Sequence, residues 1–532
     1  MAETLTLTSL RGLCAPERRY TVRHSHRFYN NLLVAGIYTF PASTPTAKFT
    51  EFDTYVSALR YCLQHHPFLS AVLSKDDKGE TVYSRPSRID LNNHVNFIDK
   101  SVLPNVSGEK SMEDIQVARL IKHLTNEPKL SYFDAPDTHP PWRIDIMPLL
   151  TDGSNSRIFI SYTWAHHIGD GMSGVIFQKT FFKALQDSLR SSSFDEDSSY
   201  VIPEPLSPKH RLPLMLHMPV SIPYLLGPAL GHYLPGFLAR LLGVKPSVTG
   251  SDAGTWAGPN TFLNVPSAPV PVVTAVEILS IPTGTLSEVL SACRMHNTKL
   301  SSLLNTVIAQ CMTRRLKEHN QLNKMKTNFI SSTPTNIRGL NGYTDRVITN
   351  CSSAAYSHHE IDHTLSTKSP ITITNAMWSV ASQHATDLHK SVSTLRNQPI
   401  GLLAWISDLN AWMADQIGKP RDASWQLSNL MSVDTRPPKS ERKGAWKGSW
   451  EGDLKMEKAY FCQPADAAGQ PLDFNIISVK GGELVICAGW QAGAIGLTDK
   501  QEASVLEENE RAFVRNVLAD LKRYLEVAAI EG

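Results

Sequence analysis

Ser161-Tyr162-Thr163-Trp164-Ala165-His166-His167-Ile168-Gly169-Asp170-Gly171-Met172 is the stretch on which the organisation of the chain turns. Ahead of it, Arg157-Ile158-Phe159-Ile160 continues into Ser161–Trp164 as a β-branched and aromatic run, the pattern of a strand entering a core. Behind it, Lys179, Lys183, Gln186 and Arg190 recur at helical spacing, while Phe177, Phe181, Phe182 and Leu185 fill the other positions. Residues 172–189 therefore predict a deeply packed helix with one polar stripe. Two histidines stand at the strand end, and Asp170-Gly171 makes the corner before the helix. An imidazole held between two rigid elements and facing a cleft suits a general base.

Simpler readings exist for each residue. Asp170 alone reads as a helix N-cap, its carboxylate accepting from first-turn N–H groups. His166 and His167, taken singly, read as core or surface histidines. With Asp170 they could be mistaken for metal ligands, but no further ligand cluster at suitable spacing supports a metal, and none is expected. The chain carries its own control in His358-His359-Glu360-Ile361-Asp362, which repeats the spacing without the glycine or a following helical period. That copy reads as a polar loop.

The chain has 532 residues and 42% hydrophobic residues, enough for large cores and two lobes. Its formal charge of +2 and the lack of dense Lys/Arg runs exclude a nucleic-acid partner. Seven scattered cysteines without CxxC pairs fit reduced thiols in a cytoplasmic protein better than a disulfide framework. No secretory signal opens the sequence, so the sequons at Asn105 and Asn350 read as accidental.

Along the chain, 27–38 reads as a polar turn feeding a buried strand, and 52–65 as a helix stopped at His66-Pro67. Residues 140–146 supply a hairpin partner for the Arg157 strand, and 191–199 an exposed linker. Residues 212–244 are strongly apolar but broken by five prolines and by glycines that include Gly227, Gly231 and Gly236, which disfavours a transmembrane helix. They read as short buried helices bridging the lobes, or as a lid or apolar patch able to touch a membrane or lipid droplet. Beyond them, 272–280 reads as a strand, Thr285-Leu286-Ser287-Glu288 as a capping box opening a helix to about His296, and 299–315 as a second helix. Strands follow at 328–338, 427–431, 474–479 and 484–490, and an amphipathic helix carries Val505, Phe513, Val517, Leu521 and Leu525 inward.

Taken together, these segments resemble the fungal alcohol acetyltransferases, within the superfamily of CoA-dependent acyltransferases that includes chloramphenicol acetyltransferase, the plant BAHD enzymes and peptide-synthetase condensation domains. His166-His167-Ile168-Gly169-Asp170-Gly171 matches the HxxxDG signature with His166 as the aligned histidine. Weaker matches follow in order: the 27–38 stretch, His66-Pro67-Phe68-Leu69, Pro334-Thr335-Asn336-Ile337-Arg338 and Ser428-Asn429-Leu430. Condensation domains place three residues between the second histidine and the aspartate, and here only Ile168 and Gly169 intervene. The plant DFGWG motif is echoed by Asp473-Phe474-Asn475 at best.

The resemblance implies an α/β fold of two chloramphenicol acetyltransferase-like lobes with the active site in a tunnel between them. The expected divisions are 1–205 for the first lobe, 206–265 for an apolar Pro/Gly-rich crossover or lid, and 266–532 for the second lobe. It implies acyl transfer, chiefly of acetyl from acetyl-CoA or another acyl-CoA, to the hydroxyl of an apolar alcohol or secondary metabolite, with no tightly bound cofactor. His166 would be the general base. Asp170 would turn away to pair with Arg338, Gly171 would allow close packing, and His167, Ser428 and Asn429 would serve positioning. The alternatives are an N-acyltransferase or condensation-type enzyme, or a non-catalytic binding protein of the same fold. A monomer is expected, with peripheral membrane contact through 212–244 as its one further partner.

Overall fold

A computed structural model describes residues 6–102, 111–127, 139–149, 157–191, 199–203, 212–213, 215, 218–234, 238, 241, 247–263, 272–436, 454–497 and 503–531. The 191–199 linker, apart from its ends, and much of 212–244 lie outside these residues.

The Arg157–Trp164 strand is buried along nearly its whole length at the centre of its sheet, and its buried polar residues Ser161 and Thr163 donate to Asp145 at 3.0 and 2.9 Å. It pairs antiparallel with Leu32–Thr39 on one side and with Trp142–Pro148 on the other, the expected hairpin partner. Val95–Phe97 adds in parallel beyond Trp142–Pro148. The fifth strand, Lys455–Cys462, comes from the far end of the sequence and pairs antiparallel with Leu32–Thr39. The Asp53–His65 and Gly171–Ser191 helices pack together against this sheet, and Phe177 and Phe181 are fully buried in its core.

The second sheet has six strands in the order Thr274–Ile281, Leu484–Gln491, Leu472–Val479, Trp425–Val433, Asn328–Asn336 and Ser352–Glu360. The two contacts of Trp425–Val433 are parallel and the remaining pairs antiparallel. Thr283–Met295, Leu300–Glu318 and Ala503–Glu531 cover it, with Phe513, Val517, Leu521 and Leu525 in a second, separate core. Two sheets, each with its own helices and core, give the expected two-lobed α/β architecture.

The Ser111–Asn126 helix ties the lobes at one side. The Asn126 amide donates to the Thr274 carbonyl at 2.7 Å and accepts from the Thr274 N–H at 2.8 Å, and the Ser280 hydroxyl donates to Asp114 at 2.7 Å. Among the described residues no helix is long and apolar enough to cross a membrane. All seven cysteines are free thiols.

Two local expectations are corrected. The helix assigned to a capping box at Thr285–Glu288 starts at Thr283, with Pro282 at the N-cap and no side-chain cap. The restricted φ of Pro282 already sets the entry two residues earlier. The His358–Asp362 stretch is not a polar loop, because its first residues end the Ser352–Glu360 strand. His359 is buried there and meets Ser331 Oγ at 2.9 Å, so one polar side chain is absorbed by a cross-strand hydrogen bond.

Gly174 lies where the Gly171–Ser191 helix crosses the first sheet, and a Cβ there would stand 2.4 Å from the Trp164 ring and 2.6 Å from Val34. Both neighbours are buried in the core. Gly174→Ala is expected to destabilise the protein by about 1–3 kcal/mol through overpacking, read as a lowered urea midpoint. A midpoint equal to wild type would mean that the helix slides freely on the sheet.

Candidate active site

The Arg157–Trp164 strand ends at Ala165, a single tight turn spans His166–Ile168, and the helix then begins at Gly171. Asp170 is the hub of this corner. Its carboxylate accepts from both terminal nitrogens of Arg338, at 2.7 and 2.8 Å, and from the Cys351 N–H at 3.0 Å. The N–H and hydroxyl of Ser173 also donate to it, each at 3.1 Å, so the N-cap role and the ion pair coexist in one side chain. Arg338, wholly buried, spends its other donors on the Val347 and Thr349 carbonyls and on Asn336 Oδ1. Burial alone would push the Asp170 carboxyl up, yet Arg338 and the Cys351 N–H hold it below the usual carboxylate range. Because Arg338 follows the Asn328–Asn336 strand, this pair joins the two lobes.

Gly171 sits against the second sheet. A Cβ there would come 2.8 Å from Leu430 and 3.2 Å from Phe461, so the absent side chain allows the helix start to approach.

His166 projects from the turn into a cavity of about 1010 Å³ whose walls come from both lobes, including Tyr29, Ser332, Ser428 and Gln463. Its ring stacks on Tyr20 with centroids 3.6 Å apart and planes 9° apart. Its Nδ1 lies 3.1 Å from Asn350 Oδ1. The Asn350 amide cannot be turned round: its Nδ2 donates to the carbonyls of His166 and His167, both at 2.7 Å, which requires the NH₂ group on that side. Oδ1 therefore faces the ring, Nδ1 carries the proton, and Nε2 holds the free lone pair. Burial, then the nearby Arg23 guanidinium, lowers the His166 pKa to about 3, so the ring is neutral.

His167 is placed differently. It is buried but does not line the cavity, and its ring lies between Tyr83 and His24, with centroids 6.0 and 6.1 Å away. The backbone of His167 is what the corner uses, its carbonyl taking the Tyr83 hydroxyl at 2.7 Å besides the Asn350 amide. Ser428 and Asn429 both reach the cavity wall. The Asn429 amide donates to Ser301 Oγ at 3.0 Å and accepts from the Met431 N–H at 2.8 Å, across a bulge where Met431 has φ +63°. The Ser428 hydroxyl makes no hydrogen bond among the described residues.

Three residues of this arrangement escaped the sequence reading. Tyr20 and Arg23 belong to an Ala15–Ser25 helix whose signal was present in Pro16 and in Glu17, the latter accepting from the Cys14 N–H at 2.8 Å. Arg23 is buried in an ion pair with Asp466 and stands 4.4 Å from the Tyr29 ring centre. Asn350 was set aside as a chance sequon, yet it is 2% exposed and fixes the ring. Among the described residues no three His, Cys, Asp or Glu side chains gather as a metal site would require.

Residues 15–486 match the family model described as alcohol acetyltransferase. The chain is 24% identical over 495 residues to Probable alcohol acetyltransferase FCK4 of Fusarium pseudograminearum, covering 91% of each chain. Among solved structures it resembles TRI3 trichothecene 15-O-acetyltransferase from Fusarium sporotrichioides, with a TM-score of 0.59, 14% identity and 97% and 95% of the two chains covered. It also resembles the first condensation domain of the calcium-dependent antibiotic synthetase, with a TM-score of 0.51, 12% identity and 97% of each chain covered.

Removing one partner of the Asp170–Arg338 pair leaves a charge buried without its counterion. Asp170→Ala is expected to cost about 3–5 kcal/mol, whereas the double variant Asp170→Leu/Arg338→Met should cost less than the sum of its single changes. Urea denaturation of wild type, Asp170→Ala, the two single changes of the double variant and the double variant itself checks this, and strict additivity would mean that the pair carries no coupling.

Proposed function

This chain belongs to the alcohol acetyltransferase family and is an acyltransferase, and on that premise we propose that it moves acetyl, or another short acyl group, from acyl-CoA to the hydroxyl of an apolar alcohol or secondary metabolite, with His166 as general base. The observation that carries this reading is a His166 ring that lines the cavity between the lobes with its Nδ1 committed to Asn350, which leaves Nε2 as the lone pair.

The chemistry follows from that nitrogen. Nε2 takes the hydroxyl proton as the alcohol oxygen attacks the thioester carbonyl, and the imidazolium returns that proton to the sulfur as CoA leaves. The C–O bond forms first, giving a tetrahedral oxyanion, and the C–S bond breaks as that intermediate collapses, with no acyl-enzyme required. Tyr20 and Asn350 act as positioning residues, one fixing the plane of the ring and the other its tautomer. Asp170 acts through the backbone of the corner and not as a proton relay, since its oxygens are occupied by Arg338, Cys351 and Ser173. Ser428, with an uncommitted hydroxyl on the cavity wall, is the better placed of the two motif residues to donate to the oxyanion of the tetrahedral intermediate.

Incubation with acetyl-CoA and a panel of alcohols and amines, reading free thiol, tests the reading. His166→Ala is expected to lower kcat by about 10²–10⁴-fold with an unchanged far-ultraviolet dichroism spectrum. Equal thiol release from both proteins would remove His166 from the mechanism, and release with amines alone would replace the alcohol as acceptor.

The depressed His166 pKa has a definite sign. A ring that protonates only near pH 3 remains a base as pH falls through 6.5, so kcat/KM should show no acid inflection at the ordinary imidazole value. The pH profile of kcat/KM between pH 8 and about 5 checks this in wild type and in Asp473→Asn, because burial raises that cavity carboxyl to about 7, and an inflection at about 6.5 in both proteins would mean that the ring is solvated in the free enzyme.

A further inference from the structure

Asp473 lies on the Leu472–Val479 strand, lines the same cavity as His166, and is 3% exposed. The charges around it are committed elsewhere. Asp466 pairs with Arg23. Arg421 donates to the Gly469 carbonyl and to Gln491 Oε1. Glu510 accepts the N–H groups of Gly493, Ile495 and Gly496. Asp473 receives one hydrogen bond, from Gln470 Nε2 to Oδ1 at 3.0 Å, and its Oδ2 has no partner among the described residues. A carboxyl buried to this degree ordinarily has its oxygens satisfied, so one left open on a cavity wall points to a group brought in by a ligand.

One oxygen is taken by Gln470 Nε2, so the open Oδ2 has room for a single partner that suits a carboxyl in either of its forms. Burial raises the Asp473 carboxyl to about 7, with Gln470, Arg23 and Arg421 opposing the rise and Asp466 adding to it. An ammonium suits the ionised form alone and a carbonyl oxygen the protonated form alone. A hydroxyl both donates and accepts, and so meets either form. The cavity, at about 1010 Å³, stands at the upper end of small-molecule sites, and the thioester end of the donor shares it with the acceptor.

We infer that Asp473 is a specificity-determining residue, which takes through Oδ2 a second hydroxyl of the acceptor, separate from the one acylated at His166. The natural acceptor is then a polyoxygenated molecule with an apolar frame. This rests on the reading of the cavity as the acceptor site. Sites built to bond a substrate hydroxyl discriminate strongly against the analogue that lacks it.

The test compares n-octanol with the series of octanediols in which the second hydroxyl moves along the chain, using acetyl-CoA and thiol release. Wild type is expected to favour at least one diol over n-octanol by about tenfold or more in kcat/KM. Asp473→Ala should bring that ratio close to one, and Asp473→Asn, whose amide still bonds a hydroxyl, should retain part of it. A wild-type enzyme that acylates n-octanol with no preference for any diol overturns the inference and leaves the transferase reading intact. So does a ratio unchanged in Asp473→Ala or, if that protein does not fold, a ratio in Asp473→Asn equal to that of wild type. Absence of thiol release with every alcohol overturns both readings.

Discussion

One buried ion pair decides where the chemistry can occur. Asp170 and Arg338 come from different lobes, and neither could remain charged in a dry interior without the other. By meeting, they fix the corner between the Arg157–Trp164 strand and its helix, and they bring the Thr349–Cys351 backbone alongside it. Asn350 lies in that segment, so the contact that joins the lobes also delivers the amide that orients His166. Joining the lobes and preparing the base are one event in the geometry.

The setting of the base is cationic and dry. Arg19 and Arg23 both depress the affinity of His166 for a proton, after burial has already done so. Such surroundings stabilise the negative charge that thioester attack creates beside the ring, and they favour the later return of the proton from the imidazolium to the leaving sulfur. Arg23 remains compatible with the ring because Asp466 neutralises it and the Tyr29 face covers it. Tyr20 completes the enclosure on the other side of the imidazole.

Much of the fold was legible because the strongest segments agree at every level. The Arg157–Trp164 run and the phenylalanine-rich helix after it have a period, a length and flanking residues that admit one reading each. Arg338, which pairs with Asp170, had no such local signal and was reached only through the family resemblance of Pro334 to Arg338. Legibility failed where tertiary context outweighed local pattern. Thr285–Glu288 has the composition of a capping box, but Pro282 had already started the helix. His358 and His359 look polar in sequence, yet cross-strand bonding and one buried face make them strand residues. Asn350 and Tyr20 gave no signal as site residues, because their roles exist only once distant segments meet across the cavity.

The last strand of the first sheet carries a consequence for biosynthesis. Residues 1–205 supply four of its five strands, and Lys455–Cys462 supplies the fifth. A nascent chain leaving the ribosome therefore holds the Leu32–Thr39 edge unpaired until Lys455–Cys462 has been made. Cutting the polypeptide once between the halves would not yield two closed modules, since each fragment would retain a piece of the other's architecture. The lobes resemble separate units in space, but as a covalent object they are interlocked.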